Sequence, residues 1–196
     1  VRGEEKLKQF DFGYKWKYDK KSGKWIKTQK LKEREEPQVL FIERCLSFLR
    51  EGGRMAMVLP SGILGNERET YLREYIRDQG HLFAIVTLPF ETFSPNVTIN
   101  TSVLFIQKGG KTTSPDIFIS MNKYCGHDKK GRAVDKDDIQ NVSNMYQNNL
   151  SNKYNFSIKQ SQLDTNFVAK RYLQKYINNL SLIKGGKFKT SPLSDI

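Results

Sequence analysis

The chain has 196 residues, 37% of them hydrophobic, and a formal net charge of +12 from 33 Lys and Arg against 21 Asp and Glu. That is apolar material for one modest core or a domain and a half, and no apolar run nears the ~18 residues needed to span a bilayer. The opening VRGEEKLK has no secretory apolar segment, and Cys45 and Cys125 give no disulfide framework, so a soluble protein of the reducing cytoplasm is expected.

The charge is segregated along the chain. Residues 1–36 carry 12 basic and 7 acidic side chains, residues 37–106 carry 6 and 7, and residues 107–196 carry 15 and 7. A near-neutral centre between basic flanks suits a polyanionic partner, most often nucleic acid, while a merely solvated basic surface is the plainer alternative.

In residues 1–36 aromatics interleave with lysines: Phe10, Phe12, Tyr14, Trp16 and Tyr18 fall on even positions, with Trp25 beyond a turn signal at residues 19–23. This predicts an exposed hairpin or arm. Its rings would stack bases while lysines such as Lys15 and Lys17 hold phosphates; alternatively, the ring face covers the neighbouring domain and the lysines stay wet. Pro37 then opens a helix whose apolar stripe is Val39, Ile42, Leu46 and Leu49, and Gly52-Gly53 stops it. Residues 54–60, RMAMVLP, are a continuous apolar run of strand length, as in a sheet covered on both faces. Asn66 and Glu69 predict a capping box for the next helix, which would bury Tyr71, Leu72, Tyr75 and Ile76. Residues 82–88 and 102–106 read as two more strands joined by a hairpin-type loop.

Helix, strand, helix, strand, strand is the second half of a doubly wound α/β domain. Closing a parallel sheet with an antiparallel hairpin is the topology of methyltransferases that use S-adenosylmethionine. Residues 135–139, DKDDI, read as a helix start or solvated loop, residues 141–155 as an Asn/Ser-rich connector, and residues 167–182 as weakly helical.

The segment LFIERCLSFLREGGRMAMVLPSGILGN, followed by YLREYI, AIVTLPFETFSPN and TSVLFIQK, resembles the C-terminal half of the N-6 adenine DNA methylases, the modification subunits of type I restriction systems and their single-chain relatives. The resemblance covers residues 37–132, including CGHDKKGR, which is similar to the family's Gly-x-Asp-x-x-Gly-Arg turn. It implies a Rossmann-like α/β fold with basic extensions. The arm (1–36) would follow the catalytic loop, residues 37–122 would be the C-terminal half of the methyltransferase domain, residues 123–183 a basic extension with a helix, and residues 184–196 a linker toward a target-recognition domain. The implied partners are DNA, a specificity subunit or fused recognition domain, and a restriction subunit.

The departures matter as much. The family binds S-adenosylmethionine through a glycine turn, where backbone amides approach the ligand closely, and positions adenine with an Asn-Pro-Pro-aromatic loop. None of the 14 glycines here forms Gly-x-Gly, and no two of the 6 prolines are adjacent. The chain is therefore expected to be a piece of the enzyme that carries neither the cofactor site nor the catalytic loop, and to be inactive alone. Ligands of open α/β sheets bind beyond the carboxyl ends of the strands. That places Ser61, Gly62 and Asn66 after the first strand and Phe93 and Asn96 in the next strand-end loop, all lining a cleft. By resemblance to related adenine methylases, Phe93 would stack on the extruded target base; the alternative is that it packs over the sheet edge, as Phe90 would. Lys129, Lys130 and Arg132 would meet phosphates from a glycine-bounded turn, unless that turn is simply solvated. His81 and His127 have no zinc-type spacing with the cysteines. A non-catalytic basic α/β module that binds nucleic acid or scaffolds an assembly is the functional alternative.

Overall fold

A computed structural model describes residues 1–109 and 116–186. In chain order the elements are α1 (Glu4–Leu7), β1 (Tyr14–Asp19), β2 (Lys24–Leu31), α2 (Pro37–Phe48), β3 (Arg54–Pro60), α3 (Ser61–Gly65), α4 (Thr70–Gln79), β4 (Gly80–Thr87), β5 (Thr101–Lys108), β6 (Asp116–Met121), β7 (Cys125–His127), β8 (Ala133–Asp137), α5 (Val142–Gln147), β9 (Asn155–Lys159) and α6 (Gln174–Lys184).

The central sheet runs β3-β5-β4-β6-β9. β5 lies between β3 and β4 and is antiparallel to both, β4 and β6 are parallel, and β9 is antiparallel to β6. The α/β class and the β4–β5 hairpin agree with the sequence. Alternation along the strands splits the sheet into two faces. Leu82, Ile85, Leu104, Ile106, Ile117 and Ile119 bury one face under α2 and α4, which contribute Val39, Ile42, Leu46, Leu72 and Ile76. Ala84 and Phe118 face the other way, under Met145 of α5.

On that second face α5 packs Met145 and Val142 against Ala84 and Phe118. The expectation that β3 is enclosed on both sides needs correction: Leu59 is buried, but Arg54, Ala56 and Val58 are exposed, Val58 at 47%. β3 also lies at the edge of the described sheet. An unbroken apolar run cannot say which of its faces is covered.

Other local readings change as well. The sheet does not end at the β4–β5 hairpin but continues through β6 and β9. Residues 135–139 are mostly strand β8, paired with β7 across a turn, and residues 141–155 contain helix α5. Regular helix in residues 167–182 begins only at Gln174, because Phe167 and Tyr172 are drawn into the core. The Asn66–Glu69 capping box does not form: a 3₁₀ turn over Glu67–Glu69 intervenes, and α4 starts at Thr70 without a side-chain cap. The linker read at 184–196 lies, from residue 187 on, outside the described residues.

The N-terminal hairpin forms around Asp19, whose carboxylate accepts the Ser22 N–H and hydroxyl, and Gly23 turns with φ +67°. Its two tryptophans, Trp16 and Trp25, pack against the core, while Tyr18 is 51% exposed. Trp16 stacks on Tyr71 of α4 at 5.8 Å, and Phe12 meets Tyr75 edge-on at 4.8 Å. The Glu43 carboxylate fixes the hairpin's base to α2 by accepting the Asp11 and Phe12 N–H groups at 2.8 and 2.9 Å. Gly13 is required there, since a Cβ would lie 2.0 Å from the Leu7 carbonyl oxygen.

Candidate functional site

Two parallel strands, β3 and β4, leave the sheet at the same carboxyl edge on either side of β5. β3 runs into α3, while β4 runs into the loop 88–100, which returns to β5. The two exits are joined, since the Ser61 N–H donates to the Asn100 carbonyl at 2.9 Å and the Leu88 N–H to the Thr101 carbonyl at 3.0 Å. Ser61 is exposed at this junction. Gly62 lets Asn66 fold back over it, because a Cβ on Gly62 would stand 3.3 Å from Asn66 Nδ2.

Arg73 holds this corner, and no sequence signal marked it. It is only 2% exposed. Its guanidinium donates to the carbonyls of Ile63 (2.8 Å), Asn66 (2.9 Å) and Thr165, and to the Thr70 hydroxyl (3.1 Å). A buried cation without a bonded carboxylate is tolerable because four oxygens replace its water. Burial still pulls its pKa down from the usual arginine value, with the charges of Glu69 and Asp164 opposing. By tying the turn after β3 to the segment near Thr165, Arg73 shapes a groove of about 680 Å³ lined by Ser61, Asn66, Asn166 and Lys170.

The loop 88–100 is built on short turns, with Thr92 N–H to Pro89 O at 3.1 Å, Ser94 N–H to Glu91 O at 2.8 Å and Val97 N–H to Phe93 O at 3.0 Å. Asn96 is exposed. Phe93 and Phe90 are 41% and 39% exposed, unlike the core phenylalanines Phe12 and Phe167 at 0%. The Ser94 hydroxyl within the loop and the Thr101 hydroxyl at its end are buried without a hydrogen-bond partner among the described residues.

The β7–β8 hairpin comes up against this loop. A Cβ on Gly131 would lie 3.6 Å from Pro95, and Lys129 Nζ lies 5.9 Å from the centre of the Phe90 ring. Asp128 organises the turn, since one of its oxygens accepts the Lys130 and Arg132 N–H groups at 2.8 and 3.0 Å, and the other takes Arg132 Nε at 2.7 Å. The Arg132 hydrogen bond, backed by those backbone N–H groups, pulls the Asp128 carboxyl down to about 2. The structure thus brings Lys129 to Phe90 of the 88–100 loop, keeps Lys130 in the Asp128 turn, and pairs Arg132 with Asp128. Lys15 and Lys17 lie elsewhere, on the hairpin over α4, where Lys15, Arg34, Arg68 and Tyr71 line a groove of about 340 Å³.

The turn after β3 does not fit the glycine turn of an S-adenosylmethionine cradle. Gly62, the glycine at the end of β3, faces the chain's own Asn66 side chain rather than open backbone. Among the described residues there is no group of three His, Cys, Asp or Glu placed to hold a metal, and no helix is long and apolar enough to cross a membrane.

The family model described as N-6 DNA Methylase matches residues 9–178. The chain is 36% identical over 74 residues to the type I restriction enzyme EcoEI methylase subunit of Escherichia coli, covering 37% of this chain and 15% of that protein. It is 26% identical over 152 residues to the type I restriction enzyme MpnII methylase subunit of Mycoplasma pneumoniae, covering 74% and 28%. Among solved structures, the type I restriction-modification methyltransferase subunit from Streptococcus thermophilus superposes with a TM-score of 0.58 at 24% identity, over 74% of this chain and 32% of that one. The chain therefore spans less than a third of the length of these relatives.

Proposed function

Since the chain belongs to the N-6 DNA methylase family, we propose that it forms the DNA-facing part of a methyltransferase domain that methylates the N-6 amine of adenine in a type I restriction-modification assembly. The observation that carries the reading is the loop 88–100 at the carboxyl edge of the sheet, which presents an exposed Phe93 and, in the same loop, an exposed Phe90 whose ring centre lies 5.9 Å from Lys129 Nζ.

A base methylated within a duplex must leave the stack, and an exposed aromatic face is the surface on which it rests. Phe93 supplies that face. Asn96, Ser61, Gly62 and Asn66 shape the polar walls next to it, with Arg73 holding the Asn66 corner in place. Lys129 and Lys130 meet phosphates flanking the base, and Asp128 with Arg132 sets the turn that aims them. Lys15 and Lys17 would add contacts farther along the DNA. S-adenosylmethionine would supply the methyl group from a site formed by residues other than those described. The partners are DNA, a specificity subunit or fused recognition domain that reads the sequence, and a restriction subunit; the cytoplasm is where these meet.

The test is methyl transfer from radiolabelled S-adenosylmethionine to duplex DNA by the complete gene product with its specificity partner. Label on the adenine N-6 amine supports the reading. DNA retained by the complex without label would favour the non-catalytic module instead.

A further inference from the structure

Lysines on this protein are held in two different ways. Lys8, Lys27 and Lys159 are neutralised by Glu4, Asp11 and Asp116, at 2.6, 2.5 and 2.7 Å, Lys27 lying over the Tyr14 ring as well but with its charge paired. On the flank of the site beyond β6, lysines rest on rings instead. Lys123 and Lys153 both approach the Tyr154 ring, at 5.0 and 5.5 Å, and Lys136 approaches the Tyr124 ring at 5.3 Å. None of these three makes an ion pair among the described residues. A ring face orders an ammonium without cancelling its charge, so it leaves the cation available to an anion.

The acids nearby are occupied otherwise. Asp138 accepts the Lys123 and Tyr124 N–H groups at 2.8 and 3.2 Å, Asp137 accepts the Ile139 N–H at 2.9 Å, and Asp128 is held within its turn. Asp135 is the exposed acid of β8 that opposes them. Two ammonium groups on one phenol repel each other unless something anionic lies between or above them. Their closeness also shows at Tyr154, where hydrogen bonding and charge from Lys123, with Lys153 adding, hold the phenol below the usual tyrosine range.

The patch is fixed relative to the Phe93 loop. Asn122 Nδ2 donates to the carbonyl of Thr87, the last residue of β4, at 3.0 Å, and Ser120 Oγ bonds Asn155 Oδ1 at 2.7 Å. Ser120 and Asn122 are buried, at 0% and 7% exposed, so the ends of β4, β6 and β9 are tied together just below the surface. The Met121 N–H completes the link by donating to the Tyr154 carbonyl at 2.9 Å.

We propose that Lys123, Lys136 and Lys153, seated on Tyr154 and Tyr124, form a ledge that grips the phosphate backbone of duplex DNA on the β6–β9 flank of the Phe93 loop. The proposal rests on DNA lying at that loop. The ledge reads no sequence; it sets the register of the duplex, as contacts to phosphate do, and leaves discrimination to groups that reach base edges.

Fluorescence anisotropy of the 196-residue chain with a duplex of arbitrary sequence, titrated with salt, tests it. Each phosphate that a lysine no longer neutralises should lower the slope of log K against log salt by about 0.9, so the Lys123→Gln, Lys136→Gln, Lys153→Gln triple variant should lose roughly 2.7. The same substitutions at Lys8, Lys27 and Lys159 change the net charge equally and should leave the slope unchanged. Arginine at the three ledge positions should retain it. Equal loss in the two glutamine triples, or a wild-type slope in a ledge triple that melts like the wild type, would overturn the ledge. Because the readout is binding alone, the ledge can fail while adenine methylation stands, and methylation can fail while the ledge stands.

Discussion

Phe93→Ala separates a surface that receives a base from a residue that holds the fold. Phe93 is 41% exposed, so folding buries somewhat over half of its side chain. Full burial of a phenylalanine is worth about 1.5–3 kcal/mol, which puts the stability carried by Phe93 at roughly 1–2 kcal/mol. A fully buried ring such as Phe12 would cost about 3–5 kcal/mol on truncation. Stacking of an extruded base on an aromatic side chain is worth about 1–3 kcal/mol. At 1.36 kcal/mol per decade, single-turnover methylation by the complete enzyme should slow about tenfold to a hundredfold. Phe93→Trp should keep most of the rate, and Phe12→Ala should lower the melting temperature far more than Phe93→Ala does. An unchanged rate in a stably folded Phe93→Ala enzyme would refute the stacking role, and a melting loss equal to that of Phe12→Ala would return Phe93 to the core.

The 196-residue chain alone should not bind S-adenosylmethionine; calorimetry that detects micromolar binding would mean that a cradle exists where Asn66 now fills the space. Arg73→Met should destabilise the chain by about 3 kcal/mol or more, since each abandoned buried carbonyl costs about 1–3 kcal/mol, and chemical denaturation would measure it. Arg73→Lys should recover only part, because a single ammonium cannot span the carbonyls of Ile63, Asn66 and Thr165. The Asp128 carboxyl is lowered in the folded chain to about 2, so its contribution to the β7–β8 turn is complete above the ordinary carboxylate range near 4 and is lost as pH falls from about 4 to 2. The protection of the Lys130 and Arg132 amides, taken relative to intrinsic exchange at each pH, should fall over that window, and Asp128→Asn should lower it at neutral pH.

What the sequence disclosed follows from which interactions are local. Strand-length apolar runs at 54–60, 82–88 and 102–106, separated by a helical stripe and a polar loop, carried the order of elements and the β4–β5 hairpin. The alternating aromatics pointed to the face on which Phe12 and Trp16 pack on α4, since alternation is itself the signature of a two-sided strand, although Tyr18 stays exposed. β6 was missed although Ile117, Phe118 and Ile119 are apolar, because its neighbours are set by sheet pairing rather than by its own pattern. Arg73 looked like any cation on a polar helix. Its partner at Thr165 is 92 residues away, and no spacing rule reaches that far. The glycine-bounded turn was legible as a turn, but not that Asp128 would claim Arg132 and leave Lys129 and Lys130 as its outward charges. The ledge was equally hidden, since Lys123 and Lys153 meet on Tyr154 only after β6 and β9 pair.

The central claim is that this chain serves adenine methylation, and base-resolved sequencing of modified DNA tests it most directly. Cells expressing the complete gene product with its specificity partner should carry N-6-methyladenine at one recurring DNA sequence, and the mark should fade when Phe93→Ala is introduced with protein levels unchanged. Absence of N-6-methyladenine with the wild-type gene, or methylation found on cytosine instead, would contradict the account.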